Sequence, residues 1–160
     1  MGISKLGQIG KWVEIASSSP TSGTTVSFTS VPKYKDLRIQ AFNLNASTLA
    51  SFSLRFNNDS TTNYAWNMGY DNGTRYIFEE SAATTRIQLT NGNIPATFNS
   101  TIEGADEACK NVTTWNVMSS DSGVANGLWF NTDTIDRVDL TILTGPATFS
   151  SGTIKLFGRN

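Results

Sequence analysis

The 160-residue sequence predicts an all-β protein, an antiparallel β-sandwich of jelly-roll-like design with an extended N-terminal arm. Three observations carry that expectation. The chain holds 18 Ser, 21 Thr and 15 Asn but only 16% charged residues, a composition that suits short strands and turns and disfavours helices, which want Ala, Leu, Glu and Lys. Apolar and polar side chains alternate with period two in one segment after another. Clusters of Asn, Asp, Gly, Ser and Pro separate these segments at intervals of roughly a dozen residues. A chain of this length is expected to form one domain, here residues 11–160, preceded by an arm at residues 1–10.

The arm places Ile3, Leu6 and Ile9 three apart among glycines and polar residues. A helix so short and Gly-rich is marginal in water. An extended segment docking on another surface is therefore expected, with disorder as the alternative. A Trp-containing strand at residues 11–16 runs into Ser17-Ser18-Ser19-Pro20. Val26, Phe28 and Ser30 then alternate with Thr25, Ser27 and Thr29. Leu37, Ile39 and Ala41 share one face of the next strand, with Arg38, Gln40 and Phe42 on the other. Phe52, Leu54 and Phe56 against Ser51, Ser53 and Arg55 give the clearest apolar-in, polar-out pattern. Past the Asn57-Asn58-Asp59 turn, a strand at 64–69 meets Asp71-Asn72-Gly73, a strong hairpin signal, and continues at 75–79. Segments 86–89, 97–103, 111–118, 127–131, 135–143 and 152–157 complete the set. The stretch TIEGADEACK has room for one helical turn. In the last strand Ile154 and Leu156 are expected to face the core, leaving Lys155 and Phe157 on the other side. Phe157 is thereby a candidate intersubunit contact.

The chemistry that the sequence excludes is as informative. Net charge is -1, from 12 basic and 13 acidic residues with no basic stripe, so a nucleic-acid partner has no electrostatic basis. No apolar run approaches the roughly 20 residues of a membrane span, the first residues lack the apolar centre of a secretory signal, and no membrane partner is expected. The chain contains no His, which rules out Ser-His-Asp and Cys-His machinery and the usual zinc sites. The single cysteine, Cys109, has no internal disulfide partner and reads as a small buried hydrophobe. Glu79 and Glu80 are adjacent and so face opposite sides of a strand. Asp133, Asp136 and Asp139 read as turn and edge chemistry. The oxygen-rich turns lack the spacing of a calcium loop. No catalytic residue, metal ligand or cofactor is expected, and a polysaccharide depolymerase lacks an evident carboxylate pair.

One constellation suggests binding. NYAWNMGY places Tyr64, Trp66 and Tyr70 in one short segment, with Tyr64 and Trp66 on one sheet face. Such a face beside Asn and Asp side chains could stack on glycan rings; the more ordinary role for the same rings is to fill the core or a subunit interface. Trp115 and Trp129 are expected in the core.

The two ends of the chain carry a resemblance. KWVEIASSSPTSGTTVSFTSVPKYKDLRIQAF, LRFNNDSTTNYAW and IDRVDLTILTGPATFSSGTIKLFGRN together resemble small β-rich virion proteins of tailed bacteriophages, common in phages of aquatic bacteria. Chains of that group often end in Gly-Ser/Thr-x-aliphatic-x-Leu-Tyr/Phe-Gly. The resemblance covers residues 12–66 and 135–158. It implies a non-enzymatic structural protein of the virion: a capsid decoration or cement protein, a homotrimer bound to the major capsid protein, with the arm contacting the shell or a neighbouring copy. The alternative it implies is a tail-fibre or tail-surface module that recognises host glycan. Residues 67–134 match no family pattern, and a distinctive interface is expected there.

Overall fold

The computed structural model describes residues 10–92, 94–143 and 145–160; Ile3, Leu6 and Ile9 lie outside the described residues. Twelve strands are described: β1 (Val13–Ser18), β2 (Thr25–Thr29), β3 (Asp36–Ala46), β4 (Phe52–Phe56), β5 (Tyr64–Asp71), β6 (Tyr76–Thr84), β7 (Ile87–Gln88), β8 (Ala96–Glu103), β9 (Cys109–Val117), β10 (Ser122–Phe130), β11 (Arg137–Ile142) and β12 (Phe149–Arg159). They form two antiparallel sheets. The large one has the order β1-β12-β3-β8-β9-β10-β5-β6 and the small one β2-β11-β4-β7. The fold is thus the all-β sandwich that period-two patterning predicts. TIEGADEACK is not helical: residues 104–108 form the β8–β9 turn, closed by Glu107 N–H donating to the Gly104 carbonyl at 2.9 Å.

One core joins the sheets. Phe52 and Phe56 of the small sheet, and Ile39, Leu156 and Trp129 of the large one, are fully buried in a single cluster. The Phe52 ring stacks on Phe149 at 5.9 Å. Phe56 meets Trp129 at 5.3 Å, and Trp129 stacks on Tyr64 at 6.0 Å. Four strands cannot cover eight, and a second, small cluster of Met68, Tyr70 and Ala125 lies where β5 and β10 run on, with Trp66 and Ile77 packed against it.

The two terminal segments of the chain are neighbours in space. β12 lies between β1 and β3, and β11 lies between β2 and β4. Ile154 pairs with Ala41 and Leu156 with Ile39; all four are fully buried. The pairing of β12 with β3 has irregular register near Gly152. There Gly152 adopts φ +114°, and a Cβ would lie 2.6 Å from Leu44 Cα and 2.8 Å from the Asn43 carbonyl oxygen. Only glycine fits both the angle and the gap. The middle segment supplies β6 and the run β8-β9-β10, plus the edge strand β7.

Candidate functional site

The predicted aromatic cluster faces inward. Period two places Tyr64, Trp66, Met68 and Tyr70 on one face of β5, and that face is the core side. Tyr64 is fully buried; its hydroxyl accepts the Phe56 N–H at 3.1 Å. Tyr70 is buried and donates to Glu79 Oε1 at 3.1 Å. Burial pushes both phenols above their usual range, Glu79 adding to the effect at Tyr70. Trp66 is half-buried between the two apolar clusters. The three rings therefore offer no shared exposed platform to a sugar, against the stacking alternative for NYAWNMGY and in line with the core-filling one.

Trp129 is fully buried, as expected for the core, but Trp115 is 67% exposed. β9 explains the correction. Val112, Thr114 and Asn116 occupy its buried positions, and Asn111, Thr113, Trp115 and Val117 its outer ones. Cys109 has the same parity and is likewise exposed, not a buried hydrophobe. Phe157 sits on the outer side as expected and is half-buried, beside Arg38 in the register.

Trp115 is the centre of an aromatic outer face. Register aligns it with Asn99 of β8 and Val124 of β10, which in turn faces Gly69 of β5 and Phe78 of β6. The next row holds Thr97, Val117, Ser122, Asp71 and Tyr76. Tyr76 and Phe78 are 70% and 60% exposed. Tyr76 lies across Gly69: a Cβ there would meet its ring carbon Cζ at 2.6 Å. Both rows except Gly69 and Phe78, together with Phe42 and Gln40 of β3, border a hollow of about 580 Å³. A second hollow of about 640 Å³ on the same face is bordered by Asn67, Asn126, Asn111, Leu128 and Glu80. Asn126 Nδ2 donates to Asn67 Oδ1 across its floor at 3.2 Å.

The lining of the first hollow is nearly free of charge. Among the described residues it contains no Lys or Arg, and Asp71 is its one ionisable acid; that carboxylate accepts the Gly73 N–H at 2.8 Å in the hairpin turn. Asn99 Oδ1 is buried in the hollow's wall and accepts no hydrogen bond. A buried acceptor left without a donor costs on the order of 1–3 kcal/mol.

The strongest polar chemistry lies elsewhere and is structural. Asp59 accepts Thr61 N–H and Thr61 Oγ1 at 2.9 and 2.5 Å, Asn63 Nδ2 at 3.2 Å and Trp129 Nε1 at 2.8 Å. Burial works to raise its pKa, but these four donors outweigh it and hold the carboxyl at about 2. Lys110 is fully buried, with Nζ donating to the carbonyls of Asn131 and Asp133 at 2.6 and 2.5 Å and lying 4.9 Å from the Trp129 ring centre. Burial lowers its pKa. Asp139 is neither turn nor edge: it is fully buried in β11, inside the small sheet, where Arg137 Nε donates to it at 2.9 Å.

Among the described residues no group of three His, Cys, Asp or Glu side chains is placed to hold a metal ion, and no helix is long and apolar enough to cross a membrane. No protein-family model and no curated protein matches the chain.

Proposed function

We propose that this protein is a non-enzymatic structural component of a tailed-phage virion, a decoration or cement protein that binds the major capsid protein on the outer shell as a homotrimer. The observation that carries the reading is spatial. The two segments that resemble phage virion proteins are separated by 68 residues of sequence, yet β1-β12-β3 and β2-β11-β4 make one contiguous two-sheet frame. A family resemblance confined to one cooperative frame is what a shared scaffold with a variable insert produces. The arm, residues 1–10 with Ile3, Leu6 and Ile9, reaches the shell or a neighbouring copy. It departs from the edge of the large sheet, where Gly10 N–H donates to the Asn160 carbonyl at 3.0 Å. Weak contacts of this kind add through multivalency once three copies are joined. Phe157, half-buried in the single chain, is the contact offered to a neighbouring copy.

Co-sedimentation with capsids that lack the protein tests the reading, with native mass spectrometry for the trimer. Saturable capsid binding by a trimer is expected. A chain that stays monomeric and in the supernatant would overturn it. Binding that survives deletion of residues 2–10 would remove the arm's role alone.

A second reading has its own observation. The exposed aromatic rings of the middle segment, set among amides, favour a tail-fibre or tail-surface module that recognises host glycan. Adsorption to host cells by the isolated chain tests it.

A further inference from the structure

We infer that the outer face of β8, β9 and β10 is a binding site for a neutral glycan, with the Trp115 ring as stacking platform and Asn99 Oδ1 as hydrogen-bond acceptor. This rests on the second functional reading and gives it a place and a chemistry. It is not the Tyr64–Trp66–Tyr70 cluster, which is turned to the core.

Three features select the ligand class. The first is the pairing of ring faces with uncharged polar groups. Trp115, Tyr76 and Phe42 are exposed and stand beside Gln40 and Asn99 in one hollow. A pyranose has the matching character, with an apolar C–H face and a rim of hydroxyls. The second is the orphan acceptor. Asn99 Oδ1 has no donor in the protein and is closed off from solvent; a turn of the side chain that presents it to the hollow would let a sugar hydroxyl supply a donor and relieve the cost of its burial. The third is charge. No Lys or Arg lines the hollow among the described residues, so nothing there recognises a phosphate, sulfate or uronate, and Asp71 disfavours them. The volume of about 580 Å³ falls within the roughly 300–1,000 Å³ of small-ligand sites.

Gly69 sets the geometry. Its lack of a side chain lets Tyr76 lie down across β5, because a Cβ would come within 1.7 Å of the Tyr76 hydroxyl oxygen. Tyr76 thus lies over the sheet, one ring face open to solvent, and borders the hollow on the side away from Phe42.

Titration calorimetry of the full chain against neutral hexasaccharides of the glucan, mannan, galactan and xylan types, each in both anomeric linkages, tests the site. At least one probe is expected to bind. Trp115→Ala should weaken that binding about tenfold or more, and Asn99→Ala about three- to tenfold. Leu49→Ala, which trims an exposed apolar residue outside the hollow, should leave it unchanged. Thermal melts of each variant confirm that the fold is intact. Binding that persists undiminished in Trp115→Ala and Asn99→Ala would overturn the site while leaving glycan recognition standing. Failure of every probe would overturn both. A concentration-dependent dimer that Trp115→Ala disperses would also overturn it, by assigning the face to a second copy of this chain.

Discussion

The terminal frame and the middle segment share one sheet and one core, yet their outer faces differ in kind. On the frame, the outer side of β12 and β3 is charged and internally paired. Lys155 Nζ meets Glu14 at 2.9 Å, Arg159 Nη2 meets Asp36 at 2.6 Å, and Trp12 lies between Arg38 and Arg159 at 4.0 and 4.6 Å from its ring centre. The Trp12 ring is covered by guanidinium groups and Phe157 is half-buried, while Phe42 of β3 is exposed where the frame borders the middle segment. On the middle segment the rings of Trp115, Tyr76 and Phe78 stand open to solvent. Monomeric domains seldom leave contiguous apolar area exposed without use for it. The inner faces build the same sandwich, and the outer faces divide it into a closed half and an adhesive half.

The comparison can be broken most severely at its two tryptophans. Trp129→Ala removes a fully buried ring, two aromatic contacts and the donor to Asp59, and should cost about 3–5 kcal/mol in urea unfolding. Trp115→Ala should change stability by less than about 0.5 kcal/mol, though it removes as much side chain. Equal losses would mean that the outer face is part of the core. Next in size, Gly152→Ala tests the frame. The forced φ and the clash with Leu44 should cost about 1–3 kcal/mol, read as a lower melting temperature.

Asp59 tests how the two halves are joined, since its β4–β5 turn receives the indole N–H of β10. Its carboxyl titrates near 2 in the fold against an ordinary value of 3.8. A depressed acid contributes stability that is complete above its unfolded pKa and is lost as pH falls through the folded one. The contribution, about 1–2 kcal/mol after allowance for solvent screening, should be full above about pH 5 and fade towards pH 2. Asp59→Asn should flatten that part of the stability profile; an unchanged profile would show that the four donors do not act on the charge. The smallest effect belongs to Cys109. The exposed thiol should react with a disulfide reagent without denaturant, and Cys109→Ser should leave the melting temperature unchanged.

Much of this was legible in the sequence. Alternation placed a segment on each of the twelve strands, though it began β10 at 127 rather than 122 and ended β6 at 79 rather than 84, and Asp71-Asn72-Gly73 marked the β5–β6 hairpin. The errors at Trp115 and Cys109 have one cause: residue type was weighed above parity. Val112 and Met118 are even-numbered and buried, which already consigned odd-numbered 109 and 115 to the outer face. The inward turn of Tyr64 and Tyr70 was not legible, because alternation shows which residues share a face but not which face meets the other sheet. The Asp59 site was half-visible. Its turn carries an evident signature, but the Trp129 donor arrives from 70 residues away, and no local pattern encodes that meeting. Nor does any local signal say that β12 enters between β1 and β3.

That insertion bears on how the chain folds during synthesis. Both β11 and β12 are interior strands of their sheets, and both leave the ribosome after β1, β2, β3 and β4, the strands that flank them. Until then β1 and β2 have no partners, whereas β8, β9 and β10 can pair as a meander as soon as they emerge. The meander is thus free to form first, and the frame waits for closure over the whole chain, a slow step that leaves strand edges unprotected meanwhile. Nascent chains stalled before residue 137 should therefore be the protease-sensitive, aggregation-prone form.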